Sequence, residues 1–115
     1  MLVQTAYVHD PDSASIAAIA ASEVSVGGYT RQTLAGKAVT QDDANNRVKF
    51  DAGDVASFGN LLAGQTVGGT VVFYDPGTGD ANCIPIAYTE IVDTPTNGGA
   101  FGITWAAGEI IRWQI

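Results

Sequence analysis

Short runs of strand-forming residues recur along the chain at spacings near ten residues, and turn-forming residues bound each run. The clearest run, residues 70–74, follows Gly68 and Gly69, and a longer run over residues 84–92 follows a polar loop. β-Branched and aromatic residues between glycine, proline and aspartate are typical of short antiparallel strands. The pattern predicts a mainly β fold in which residues 70–92 form a hairpin.

Eight or nine such runs predict a single-domain β-sandwich, of the jelly-roll type or a small barrel, built from short strands. Residues 1–9 are expected to form an extended N-terminal arm or strand, and residues 23–115 the sandwich. Residues 10–22 predict one short helix, because Ile16 and Ile19 fall on one helical face. A second hairpin is expected from residues 101–105 and 111–115, with a turn at 106–108 and with Trp105 and Trp113 buried.

The charge balance narrows the classes of partner. Twelve carboxylates against five cations give a net charge of −7, which repels polyphosphate and anionic lipid. No apolar run approaches the roughly 18 residues that a membrane-spanning helix requires. Neither nucleic acid nor a membrane is therefore expected as a partner. The single cysteine, Cys83, excludes an intramolecular disulfide and suits a protein made in the cytoplasm.

Candidate catalytic groups are few. His9 is the only histidine, and it lies in the expected N-terminal arm, away from a rigid scaffold. Cys83 has no cation beside it in sequence and is interpreted as a packing residue. Because a Ser or Cys nucleophile needs a positioned base, we expect no enzymatic activity, no cofactor and no small-molecule substrate.

Two acidic loops could offer oxygen ligands to a cation. Asp42 and Asp43 precede two asparagines, while Asp75 and Asp80 flank a glycine-rich loop. Neither loop has the spacing of a calcium-binding loop with its distal glutamate, so turn formation is the favoured interpretation and a metal site the alternative.

The cations are clustered along the chain. Four of the five lie within 19 residues, at Arg31, Lys37, Arg47 and Lys49. If the strands that carry them are adjacent, one face of an acidic domain becomes locally basic and can dock on an acidic protein surface. A solvated strand face is the alternative interpretation.

Several segments carry a resemblance to a known group of proteins. They are Glu23-Val-Ser-Val-Gly-Gly-Tyr-Thr-Arg-Gln-Thr-Leu34, Asp43-Ala-Asn-Asn-Arg-Val-Lys-Phe-Asp-Ala-Gly-Asp-Val55, Gly68-Gly-Thr-Val-Val-Phe-Tyr74, Pro85-Ile-Ala-Tyr88, Thr94-Pro-Thr-Asn-Gly-Gly99 and Phe101-Gly-Ile-Thr-Trp105. In these patterns the chain resembles small structural proteins encoded beside the major capsid protein of tailed bacteriophages, of the head decoration or cement type.

The resemblance implies a homotrimer on the capsid surface of the virion, made in the host bacterial cytoplasm, that binds the major capsid protein and bridges its subunits. On this hypothesis the arm with Val3 and Tyr7 adds a strand to a neighbouring chain, and the basic face meets carboxylates. The alternatives are another virion component, such as a head–tail joining, tail or fibre protein, and a carbohydrate-binding module. A carbohydrate-binding module would stack sugars on exposed rings, with candidates at Tyr74, Tyr88, Trp105 and Trp113.

Overall fold

Six strands form two antiparallel sheets of three strands each in the computed structural model, which describes residues 1–105 and 109–114. The core sheet has the strand order β1-β4-β5, and the outer sheet has the order β2-β3-β6. The strands are β1 (Leu2–Gln4), β2 (Ala38–Asp42), β3 (Arg47–Asp51), β4 (Thr66–Tyr74), β5 (Ile84–Pro95) and β6 (Ile111–Gln114).

The prediction of a sandwich or small barrel of eight or nine strands is wrong. Segments 24–37 and 52–65 contain strand-like runs but follow irregular backbone, tied to the rest by isolated bridges such as Val55 to Ile103. Gly28 and Gly59 explain part of this, because both have positive φ and a Cβ on Gly59 would collide with the carbonyl oxygen of Gly28. Two backbones cross closely there, where a regular strand requires negative φ.

The prediction of a short helix over residues 10–22 is also wrong. The segment forms two separate 3₁₀ turns, Ile16–Ala18 and Ala20–Ser22, and the side chain of the preceding Ser15 makes no capping hydrogen bond. Only Ile16 and Ile19 are buried in these turns. So short a helix gains little stability from its own hydrogen bonds, so its conformation depends on tertiary contacts. One 3₁₀ turn each is enough to bury Ile16 and Ile19.

The core lies on both faces of the core sheet. Leu2 and Val3 are fully buried, and they belong to different apolar clusters because successive strand residues point to opposite faces. Val3 packs with Ile16, Ile19 and Cys83, whereas Leu2 packs with Val24, Phe58 and Leu61. Irregular chain therefore covers the sheet on both sides, in the place of the second sheet that a sandwich would supply.

The hairpin predicted over residues 70–92 is confirmed. Strands β4 and β5 pair antiparallel from Tyr74 opposite Ile84 to Thr66 opposite Pro95, with two register shifts. The expected C-terminal hairpin is wrong within the described residues, because β6 pairs with β3 while Ile103 bridges Val55. Its predicted turn at 106–108 and its last residue, Ile115, lie outside the described residues. None of the described helical segments is long and apolar enough to cross a membrane.

Candidate protein-binding sheet

The outer sheet has two chemically different faces. Directly opposed residues of neighbouring strands share a face, so Val39, Phe50 and Ile111 form one row, and Gln41, Val48 and Trp113 form the next. We call these six residues the apolar face, which carries no charge. On the other side of the sheet, Arg47, Lys49 and Arg112 share a face with Asp42 and Asp51, which we call the basic face.

The apolar face is partly exposed, since three of its six residues are exposed and the other three are half-buried. Neither core cluster contains or contacts a residue of the outer sheet. Val39 is 69 % exposed and Trp113 is 49 % exposed, while Val48, Phe50 and Ile111 are half-buried. An exposed apolar face of this kind is a candidate contact surface for another macromolecule, although its area is small. Trp113, which the sequence places in the core, is therefore a surface residue of this chain.

The size of the apolar face limits the affinity of a single contact made through it. Three strands about 4.8 Å apart, with about five residues at about 3.3 Å each, make a face of roughly 230 Å². A stable interface covers about 800 Å² on each partner. One apolar face alone therefore supports a weak contact, and tight binding requires several contacts made together.

The basic face contains two like charges side by side. Lys49 lies directly opposite Arg112 across β3 and β6, an arrangement that repels unless an anion lies nearby. Arg112 contacts Glu109 at 3.3 Å, whereas Lys49 has no hydrogen bond or ion pair with any described residue. Arg47 pairs with Asp42 at 2.7 Å. Hydrogen bonds from Asn45 and from Arg47 hold the pKa of Asp42 below its ordinary value.

Two of the four predicted cations have other contacts. Arg31 lies in an internal ion-pair network, with 2.6 Å to Glu23 and 2.7 Å to Asp80, and away from the outer sheet. Hydrogen bonds to Glu23 and Asp80 raise the pKa of Arg31, and that guanidinium lowers the pKa of Asp80. Lys37 precedes β2 and donates to the carbonyl oxygen of Leu34 at 2.8 Å.

Arg112 is the member of the basic face that sequence clustering missed. It lies 63 residues after Lys49 in the numbering and joins it only through the register of β3 with β6. The available signal was its alternation with Ile111 and Trp113, which places it on the polar side of a strand.

The two predicted arm residues lie within the core sheet and beside it. Val3 is fully buried in β1, which pairs with β4 of the same chain, so a partner cannot contact it while that pairing persists. Tyr7 is half-buried, and its ring packs edge-on against Tyr88 at 5.4 Å. Its hydroxyl is buried without a hydrogen-bond partner among the described residues.

The residues considered for catalysis or metal binding have internal partners. His9 stacks on Tyr88 with ring centroids 5.0 Å apart. Burial, followed by Asp75, raises the pKa of the Cys83 thiol. Asp75 also accepts a hydrogen bond from the Gly77 amide at 2.7 Å. In residues 1–105 and 109–114, no three histidine, cysteine or acidic side chains come together as metal ligands.

Comparisons with protein-family models, with curated proteins and with solved structures find no match to this chain.

Proposed function

We propose that this chain is a decoration protein of a tailed-bacteriophage head, which binds the major capsid protein on the outside of the capsid and bridges its subunits as a homotrimer. The observation that carries the proposal is the partly exposed apolar face of the outer sheet, where Val39 and Trp113 are 69 % and 49 % exposed. The sequence patterns that resemble phage head proteins supply the biological setting.

The small area of the apolar face suits this role. A contact of roughly 230 Å² per partner is weak on its own, with an expected dissociation constant in the millimolar to micromolar range. On a capsid, many identical sites stand at fixed spacing, so an oligomer that reaches several of them binds with a high effective concentration. Weak individual contacts then hold the shell together, while the free protein stays soluble.

The two faces of the outer sheet support a bridging contact. The apolar face seals against an apolar surface of one capsid subunit, and the basic face lies on the opposite side of the same thin sheet. There the Lys49 ammonium, opposite Arg112, is available for a carboxylate of an adjacent subunit. A chain of net charge −7 would otherwise be repelled by acidic surfaces.

The test compares variants on capsids that lack the protein. Val39→Ser and Trp113→Ser each remove apolar surface that is exposed in the free chain. Val92→Ser, in β5, is the matched control because Val92 is 86 % exposed and outside the outer sheet. In cosedimentation with capsids we expect at least tenfold weaker binding for the first two variants and unchanged binding for the control, with equal thermal unfolding for all three.

The copy number per purified particle separates this proposal from its rivals. A decoration protein is present in hundreds of copies, whereas a head–tail joining ring holds about a dozen. Equal capsid binding of Val39→Ser and Val92→Ser would contradict the role of the apolar face. Absence of the protein from mature particles, or saturable binding of sugars at Trp113, would contradict the decoration role itself.

A further inference from the structure

A groove of about 350 Å³ lies between the N-terminal segment and strand β5, remote in sequence from the outer sheet. Three aromatic rings form one wall. His9 stacks on Tyr88 with an interplanar angle of 14°, and Tyr7 packs edge-on against Tyr88 at 72°. The Tyr88 ring lies so close to Gly69 that a Cβ there would stand 2.5 Å from its Cε2 atom. Because the rings are held by mutual contact and by the flat surface of a glycine, the wall is preorganised for a ligand.

The groove follows the backbone of an edge strand. Four consecutive residues of β5, Pro85 to Tyr88, line it, around a register shift that interrupts the regular alternation of side chains. The strand order places β5 at the edge of the core sheet. A register shift between Val72 and Phe73 leaves Ile86 unpaired with β4, and its side chain is 50 % exposed.

The surroundings of the groove are acidic. Asp10 lines it, and Glu90 lies two residues beyond Tyr88 on the exposed part of the same strand. After burial, Glu90 is the next cause that raises the pKa of Tyr88, which places its charge within electrostatic reach of the aromatic wall. Among the residues that the structure describes, no lysine or arginine lines the groove. The Arg31 guanidinium, 5.5 Å from the Phe73 ring, is already paired with Glu23 and Asp80.

We propose that this groove binds an extended, cationic segment of another protein, which adds as a strand along β5. Its apolar side chains would pack on Ile86 and Tyr88, and its lysines or arginines would face Asp10 and Glu90. Pro85 has no N–H and Ile86 lies at the register shift, so the strand-like pairing is expected along β5 beyond Ile86, where the edge can supply backbone hydrogen bonds. The apolar wall and the two carboxylates then favour a peptide with apolar and cationic side chains. The inference stands on contacts separate from the outer sheet and does not rest on the decoration role.

The test uses two fluorescently labelled peptides of ten residues. One alternates valine or threonine with lysine, and the other carries glutamate at every lysine position. In fluorescence polarisation at about 50 mM salt, where surface charges are weakly screened, we expect the lysine peptide to bind and the glutamate peptide not to bind. Raising the salt to about 0.5 M is expected to weaken the lysine peptide at least fivefold.

Variants assign the binding to the groove. Both Ile86 and Glu90 are exposed, so Ile86→Ser and Glu90→Gln leave the fold intact, and each is expected to weaken the lysine peptide at least threefold. Val39→Ser, on the apolar face, is the matched control and is expected to bind the peptide as the parent chain does. No binding of the lysine peptide, equal binding of both peptides, or equal affinity of all three variants would overturn the proposal. The same Val39→Ser variant reports on capsid binding separately, so either proposal can fail alone.

Discussion

Arg31 donates two parallel hydrogen bonds to Glu23, from Nε to Oε1 at 2.7 Å and from a terminal nitrogen to Oε2 at 2.6 Å. The same guanidinium donates two more to Asp80, and the Tyr29 hydroxyl donates to Glu23 at 2.8 Å. Glu23 forms a bridge with Val3 of β1, and Asp80 lies in the loop between β4 and β5. One guanidinium therefore connects the segment around Glu23, which is bridged to β1, with the loop between β4 and β5, where Asp80 is 49 residues from Arg31 in sequence.

Replacement of Arg31 is expected to destabilise the protein more than replacement of any solvated cation. Arg31→Gln leaves the Glu23 side chain, which is 14 % exposed, without its charged partner, at a cost of about 2 kcal/mol after allowance for partial solvent exposure. Lys37→Gln, which loses one exposed hydrogen bond, is the matched control and is expected to cost less than about 0.5 kcal/mol. Urea unfolding measures both, and equal losses would contradict a structural role for Arg31.

Two tyrosines are expected to respond oppositely to loss of the hydroxyl. Tyr7→Phe removes a buried hydroxyl that has no partner among the described residues, and is expected to raise the free energy of unfolding by about 1 kcal/mol. Tyr29→Phe removes a hydroxyl that donates to Glu23 and accepts from the Leu2 amide, and is expected to lower it by about 2 kcal/mol. Thermal unfolding of the two variants measures both changes. A lower stability of Tyr7→Phe would show that the Tyr7 hydroxyl has a stabilising partner.

Stability is expected to rise between pH 6 and pH 8. The Met1 amino group donates to the carbonyl oxygen of Val71 at 2.8 Å, and burial lowers its pKa from 8.0 to about 6. Because the unfolded chain binds this proton more tightly, the stabilisation is complete above pH 8 and is lost as the pH falls through 6, a change of about 3 kcal/mol. Unfolding free energies at pH 8.5 and pH 5.5 test this.

The control for the pH dependence is His9→Asn, which leaves the Met1 amino group in place. The variant is expected to keep the rise in stability, since the amino group remains. A flat profile in the variant would contradict the assignment of the pH dependence to the Met1 amino group.

Two glycines of positive φ are expected to tolerate alanine very differently. Gly59 has a φ of +110° and its Cβ would collide with the Gly28 carbonyl oxygen, whereas Gly77 has a φ of +78° with nothing within 4 Å. Gly77→Ala is therefore expected to cost about 1 kcal/mol for the backbone conformation alone. Gly59→Ala should cost more than about 3 kcal/mol, because the backbone crossing must also open. Chemical denaturation compares them, and similar costs would contradict the close crossing.

Local sequence predicted the parts of the fold that are local in the chain. The β4–β5 hairpin follows from a run after Gly68 and Gly69, a polar loop and a second run, all within about 30 residues. Residues 37–41 and 47–50 are strand-like runs as well, and they form most of β2 and β3. In each case a turn-forming segment joins two runs that pair with each other.

Strand pairing between distant residues was not predictable in the same way. The runs near residues 29–34 and 101–105 have strand-like composition, yet they lie in irregular chain, where Ile103 makes only an isolated bridge with Val55. Composition and periodicity describe one segment, whereas a strand also needs a partner. Strand β6 pairs with β3, about 60 residues away. Several strand edges could accept β6, and which of them does so depends on the folded chain.

The candidate sites were also predictable only where they depend on residues close together in the sequence. Alternation along one strand placed Arg47 and Lys49 together, but the pairing of Lys49 with Arg112 and the capture of Arg31 by Glu23 and Asp80 depend on contacts between distant segments.

The amino-acid sequence by itself determined the net charge, the positions of the turns and the presence of β structure, because these depend on composition and on neighbours in the chain. Only the tertiary structure decided which apolar residues are covered. Val3 is buried and Val39 is exposed although both lie in short strands, because burial depends on the surface that another segment brings against a side chain.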